Sequence, residues 1–368
     1  MVVGGSNGCY THGRAIEGLK CFYDATREQA ALDEAARLAE YHFQHTLCHD
    51  GALSDGCGGR THSYLNTLRG LLLFAVMNGQ QDHLDVLSAT CHDAVAAMIT
   101  PSGFITHDID GGPGGDIASA GDIAHIALML WERFRNPALL DDAERIVRCR
   151  LLPAQVLEPM PVRPQREDTG DSFRDLPQRF VGAICGSVGQ VQGQTCVTDF
   201  TAAALHSLIE VYQSAVCIEA DAVRVKFHLD CELTGVRVES QRGRKEARVE
   251  VWNDTGKDLL IRVPGWAPVP SVRVEVNDKS VSPNITKGFA RVNANGAQQM
   301  RATLLFELPH TQTEEPWKDS DAKQKTLTFH WGGTKSPASI HAATTLSHLP
   351  SIAFLFRTDD ENAKDIQA

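Results

Sequence analysis

The sequence predicts a mainly α chain with a β half, a partial α/α toroid of helical hairpins followed by a β-sandwich. Two observations carry this. Apolar residues recur with a helical period from residue 12 to about 214, and after residue 218 the period switches to two. A third gives the helices their arrangement: a Leu-Asp step recurs at Leu32-Asp33, Leu84-Asp85 and Leu140-Asp141, about every 50 to 56 residues, as expected of stacked hairpins.

In chain order, Ile16, Leu19, Cys21, Phe22 and Tyr23 open the first helix, and Leu32, Ala35, Ala36, Leu38, Ala39 and Phe43 form its partner. Tyr64 to Phe74 and Leu84 to Met98 repeat the pair, as do Ile123 to Trp131 and Leu139 to Val147. The Gly- and Asp-rich loops 48–60 and 103–122 precede the first helices of the second and third pairs, so they are expected on one face of the toroid. Prolines at 153, 159, 161, 164 and 177 mark a long excursion, after which a last helix runs from Thr198 to Tyr212. Strands are expected at Val223–Leu229, Ala247–Trp252, Leu259–Val263, Val272–Val276 and Ala302–Phe306, with a hairpin turn at Asn277-Asp278-Lys279. The expected divisions are a helical domain over 1–217, a sandwich over 218–311, and over 312–368 one extra strand followed by a polar tail.

A chain of 368 residues with 42% hydrophobic content can bury two cores. A net charge of -11 without any Lys/Arg-rich run argues against nucleic acid or an anionic membrane as partner, whereas a neutral carbohydrate suits it. No apolar run has membrane-spanning length, and Met1-Val2-Val3-Gly4-Gly5 lacks the features of a signal peptide, so the default expectation is cytoplasmic. The ten cysteines all precede residue 232 without a CxxC pair and read as reduced core thiols, with one or two available to a metal. Asn253-Asp254-Thr255 and Asn284-Ile285-Thr286 read as chance sequons.

The stretch from His107 to Asp122 concentrates the polar chemistry. Asp108, Asp110, Asp116 and Asp122 share it with His107, five glycines and a proline. Such a loop can gather carboxylates at the mouth of a helical scaffold; equally, it can be a solvated loop whose Asp122 caps the next helix. Asp108 or Asp110 paired with Asp116 would give two carboxylates for acid/base work, and His107 beside Asp108 would tune it. His62 at a helix start is a candidate sugar-hydroxyl contact or a packing residue, and His12 and Arg14 stand similarly at the first helix. Asp55 reads as a turn residue, and Trp252 and Trp266 as core.

Ile261-Arg262-Val263-Pro264-Gly265-Trp266-Ala267, then Val274-Glu275-Val276-Asn277-Asp278-Lys279, Gly288-Phe289-Ala290-Arg291-Val292 and Leu304-Leu305-Phe306-Glu307-Leu308-Pro309, resemble the sandwich of the glycoside hydrolase family that contains the β-L-arabinofuranosidases. Thr61–Gly70 is similar to that family's His-bearing helix start, and Asp122–Leu128 to the helix after its metal-binding Glu-x-Cys; the likeness covers roughly residues 10–335, without the first part of the barrel. It implies a retaining glycosidase with a zinc-held cysteine nucleophile and a separate acid/base carboxylate. Carried across, the zinc Glu falls on Asp116, its Cys on Ala118, and the Cys-Cys pair on Thr195 and Cys196, with Cys185 as a substitute thiolate. The cage is thus incomplete at Ala118 and Thr195, and the expectation is no cofactor, with zinc at Asp116, Cys196 and Cys185 as the alternative. The function expected is action on, or binding of, furanosidic glycans; the alternative is a non-catalytic glycan-binding or self-assembling descendant. A homo-oligomer, or another partner, would cover the helix faces that half a toroid exposes.

Overall fold

The computed structural model describes residues 9–342 except 49, 53–56, 101–102, 104, 110–116, 156, 158, 160–175, 180, 185–197, 244, 319–323 and 333–336. After a π-turn at Cys9–Gly13 come α1 (Ala15–Thr26), α2 (Gln29–His45), α3 (Thr61–Asn78), α4 (Gln81–Thr90), α5 (Ile117–Phe134), α6 (Pro137–Ile146), the single turn α7 (Leu176–Arg179) and α8 (Thr198–Ser214). The Leu-Asp step falls on the fourth and fifth residues of α2, α4 and α6 alike. Its leucine turns inward, since Leu84 and Leu140 are buried and Leu32 packs on the core margin. α4 and α6 each run on into one π-turn, Cys91–Val95 and Val147–Leu151.

α1, α3, α5 and α8 stand side by side as one row, and α2, α4 and α6 back the first three of them. This is the hairpin stack expected from the repeat. α3 buries residues on every side because it lies inside the row, and Gly70 lets α1 approach it: a Cβ there would stand 2.9 Å from Ile16 Cβ and 3.0 Å from the Glu17 nitrogen. Both contacts are closer than van der Waals packing allows, so Gly70→Ala is expected to cost about 1–3 kcal/mol in chemical denaturation. Among the described residues no helix is long and apolar enough to cross a membrane.

The β half has two packed sheets. One has the order β1-β2-β6-β10-β9: β1 (Val216–Ile218), β2 (Ala222–Val225), β6 (Asp258–Arg262), β10 (Phe289–Val292) and β9 (Ile285–Thr286). The other has the order β3-β4-β5-β11-β7-β8: β3 (Cys231–Leu233), β4 (Val236–Arg242), β5 (Glu246–Asn253), β11 (Met300–Glu307), β7 (Arg273–Val276) and β8 (Lys279–Val281). Strict alternation of burial along β5 turns Ala247, Val249 and Val251 inward, where they meet Val223, Val225, Leu259 and Ile261 of the facing sheet in one core. Asn277 and Asp278 both have positive φ, 46° and 64°, making the two-residue hairpin turn expected between β7 and β8.

Beyond the sandwich the expectation of a single strand is corrected. β12 (His310–Lys318), β13 (Gln324–Gly332) and β14 (Pro337–Ala342) pair as an antiparallel three-stranded sheet. Pro316 and the charges in β12 weaken its sequence signal, while register with β13 supplies what local propensity lacks.

Charged contacts join the two halves. Lys226 Nζ donates to Glu132 Oε1 at 2.7 Å over the Trp131 ring, and Arg262 on β6 reaches Asp141 and Glu144 on α6. Among the described residues no two cysteines form a disulfide; Cys9, Cys57 and Cys149 are buried and Cys21 is exposed, and burial pushes Cys9 up to about 11 and Cys149 to about 12.

Candidate functional site

The helix starts of the row gather at one pole. Arg14 immediately precedes α1, His62 is the second residue of α3 and Asp122 the sixth of α5. Arg14 Nη2 lies 3.1 Å from His62 Nε2, and His62 Nδ1 lies 2.8 Å from Asp122 Oδ2. A guanidinium only donates and a carboxylate only accepts, so His62 carries its proton on Nδ1 and offers the Nε2 lone pair to Arg14. The other Asp122 oxygen accepts from Arg69 Nη1 at 2.6 Å, and Arg69 Nη2 donates to Glu17 Oε1 at 2.7 Å.

Asp122 is therefore no helix cap. The helix begins five residues earlier, and the Asp122 side chain is only 2% exposed, with one oxygen committed to the Arg69 guanidinium and the other to the His62 N–H. It orients His62 and neutralises Arg69. Arg14 and the outer edge of His62 remain at the surface, where a guanidinium and an oriented imidazole can bind ligand hydroxyls.

The two Gly/Asp loops do share this face, because they bond to each other. Arg60 and Asp108 form a β-bridge, Thr61 N donates to His107 O at 3.2 Å, and Ile109 N donates to Gly59 O at 3.0 Å. Asp108 is thereby fixed beside the start of α3. His107 Nδ1 stands 3.0 Å from Asp108 Oδ1, and Asp108 is 43% exposed, so its carboxylate faces solvent with a histidine to hold it. His12 turns elsewhere: its Nδ1 is 3.2 Å from His42 Nε2, and its ring packs on Tyr41 behind the row. Trp266 packs against Phe306, as core.

Asp55, Asp110, Asp116, Cys185, Thr195 and Cys196 lie outside the described residues. Ala118 is described: it is 3% exposed in the first turn of α5, and its side chain is a methyl group with no metal-binding atom.

Sequence reasoning passed over five residues of the same row: Glu17, Arg69, His125, His206 and Glu210. Arg14 and Glu17, and Asp122 and His125, are three apart, while His206 and Glu210 are four apart, so each pair lies on one helix face. This polar spacing within otherwise apolar helices is the signal that could have found them. Burial raises the Glu17 carboxyl, which Arg69 opposes, and burial together with the Arg69 charge lowers His125 to about 3.

No family model matches the sequence, and no curated protein matches it. Among solved structures, a GH127 β-L-arabinofuranosidase from Geobacillus stearothermophilus T6 aligns with a TM-score of 0.57 and 14% identity over 87% of this chain and 57% of its own. A second GH127 β-arabinofuranosidase aligns with a TM-score of 0.57 and 13% identity, covering 87% of this chain and 55% of its own. A glycoside hydrolase aligns with a TM-score of 0.56 and 11% identity, covering 87% and 59%. The chain thus spans less than two thirds of the length of each, and shares with them the fold of a helical toroid followed by a β domain.

Proposed function

We propose that this protein is a glycoside hydrolase that acts on furanosidic, arabinofuranoside-like glycans at the pole where the inner helices begin. The observation that carries this reading is the Arg14–His62 contact at the helix starts, with the loop carboxylate Asp108 bridged to Arg60 two residues before His62, on a fold shared with arabinofuranosidases. Arg14 and His62 bind sugar hydroxyls. Asp108 and Asp116 of the same loop supply the two carboxyl groups that glycosidic cleavage requires: one protonates the leaving oxygen, and the other activates water or attacks the anomeric carbon. Asp122 stays out of the chemistry because its oxygens are taken.

The test is hydrolysis of aryl furanosides by the full chain. Asp108→Asn and Asp116→Asn are each expected to cut kcat by about 10²–10⁴-fold. His62→Ala should mainly weaken binding, read by calorimetry. Unchanged turnover in both aspartate variants would remove the loop from catalysis.

A second reading, a non-catalytic glycan-binding or self-assembling protein, is favoured by the outer face of α8. There Leu205, Ile209 and Tyr212, spaced four and three apart, are 48%, 52% and 52% exposed, and Phe22 on α1 is 53% exposed. On that reading the protein elutes as a dimer or larger species on sizing, without turnover of any aryl furanoside. A stable monomer would count against it.

A further inference from the structure

Glu17 on α1, His125 on α5 and His206 on α8 each present a ligand atom, and all three atoms lie within 4.8 Å of one another. We propose that these residues form a binding site for a divalent transition ion, zinc in the first instance. None of the three coincides with the cage positions Asp116, Ala118, Thr195 and Cys196, and the site does not depend on the glycan reading above.

Four observations support it. The first is donor chemistry: two imidazoles and a carboxylate suit zinc, and tetrahedral ligands about 2.1 Å from the ion stand roughly 3.4 Å apart, so small side-chain rotations close the set. The second is His125 itself, which is 9% exposed. Its Nδ1 is buried without a hydrogen-bond partner among the described residues, and its Nε2 faces Glu210 Oε2 at 4.0 Å, too far to bond. A buried imidazole left this way is costly, and a coordinated ion is one of the few groups that satisfies it.

The third observation is charge. Glu17 and Asp122 pair with one buried guanidinium, Arg69, while Glu210 stands beside His125 and His206, so with neutral histidines these four charged groups carry a formal charge of about -2, matched to a divalent ion. The fourth is orientation. Arg69 Nη2 donates to Glu17 Oε1 at 2.7 Å, which fixes the carboxylate and leaves its other oxygen for a metal, as outer partners of metal ligands commonly do. His206 Nδ1 stands 3.5 Å from the same Arg69 nitrogen and its Nε2 3.6 Å from Glu210 Oε1, so no short contact locks that exposed ring. Three protein ligands leave a coordination position open, or filled by Glu210, along the inner row one helical turn from the Arg14–His62–Asp122 pole.

The test uses the full chain, stripped with chelator and kept reduced, titrated with zinc sulfate by calorimetry and assayed for metal by elemental analysis. One zinc per chain is expected, and His206→Ala and Glu17→Gln should each weaken binding more than about tenfold. Circular dichroism of His206→Ala, a surface change, confirms that the fold persists. Cobalt loaded in place of zinc should show ligand-field bands without thiolate charge transfer, which separates this site from any cysteine site. Absent binding, affinity unchanged in both variants, or a thiolate charge-transfer band would each overturn the proposal.

Discussion

Replacing Arg262 with methionine is expected to destabilise the chain by about 3–5 kcal/mol, because it strips the counter-charge from buried carboxylates. The Arg262 side chain is fully buried on β6 and ion-paired with Asp141 and Glu144 of α6. Its Nε donates to Lys226 O at 2.6 Å, and its own carbonyl bonds His228 Nε2 at 2.8 Å. The other Asp141 oxygen accepts Gly265 N at 2.9 Å, so the Arg-Val-Pro-Gly segment is the latch between sandwich and helices. Burial raises Asp141 despite Arg262. It would raise Glu144 too, but Arg262, Arg148 and Arg242 hold that carboxyl well below the usual carboxylate range. The deeper Glu144 is the group left most exposed to loss of the arginine. Urea unfolding should show the midpoint fall, and Arg262→Lys, which keeps the charge but not the fork, should be intermediate. The triple variant Arg262→Met, Asp141→Leu, Glu144→Leu should recover much of the loss, since no unpaired charge remains. A single-variant loss under about 1 kcal/mol would show that the pairs are not structural.

This latch shows what the sequence does and does not reveal. Ile261–Trp266 stands out as a string, and its strand is plain from alternation. Its role is not, because the partners of Arg262 lie 121 and 118 residues earlier in the chain. The hairpins were readable for a local reason: core positions recur every three or four residues, and each Leu-Asp step lands at one place in its helix. The alternative of Asp122 as a cap fails because a loop rich in glycine hides where a helix starts; Ile117-Ala118-Ser119-Ala120 is already helix. The pole was half readable. Arg14, His62 and Asp108 were candidates by position, but Arg69 and His125 each sit between apolar or small neighbours in sequence, and only the packing of α1, α3, α5 and α8 reveals what they face.

Acid is expected to unfold this protein early, and three histidines are the reason. Burial, with nearby positive groups, lowers His42 to about 4 and His125 and His228 to about 3. Each folded value lies below the unfolded value near 6.5. Above pH 6.5 both states are neutral and nothing is lost. As pH falls below 6.5 the unfolded chain takes up protons that the native chain refuses, so stability falls by about 1.4 kcal/mol per pH unit per histidine, or about 4 for all three. Glu17 and Asp141, whose carboxyls burial raises, pull the other way as they protonate in the native state, while Glu144, held low, adds to the loss below the carboxylate range. A net slope on the order of 2–4 kcal/mol per unit between pH 6 and 5 follows, large against a total stability of about 5–15 kcal/mol. Urea midpoints at pH 7, 6 and 5, measured with chelator so that no ion holds His125, should drop steeply. His228→Gln, whose amide can still bond the Arg262 carbonyl, should flatten the slope by about one proton. A stability flat from pH 7 to 5 would mean that these imidazoles are hydrated in solution.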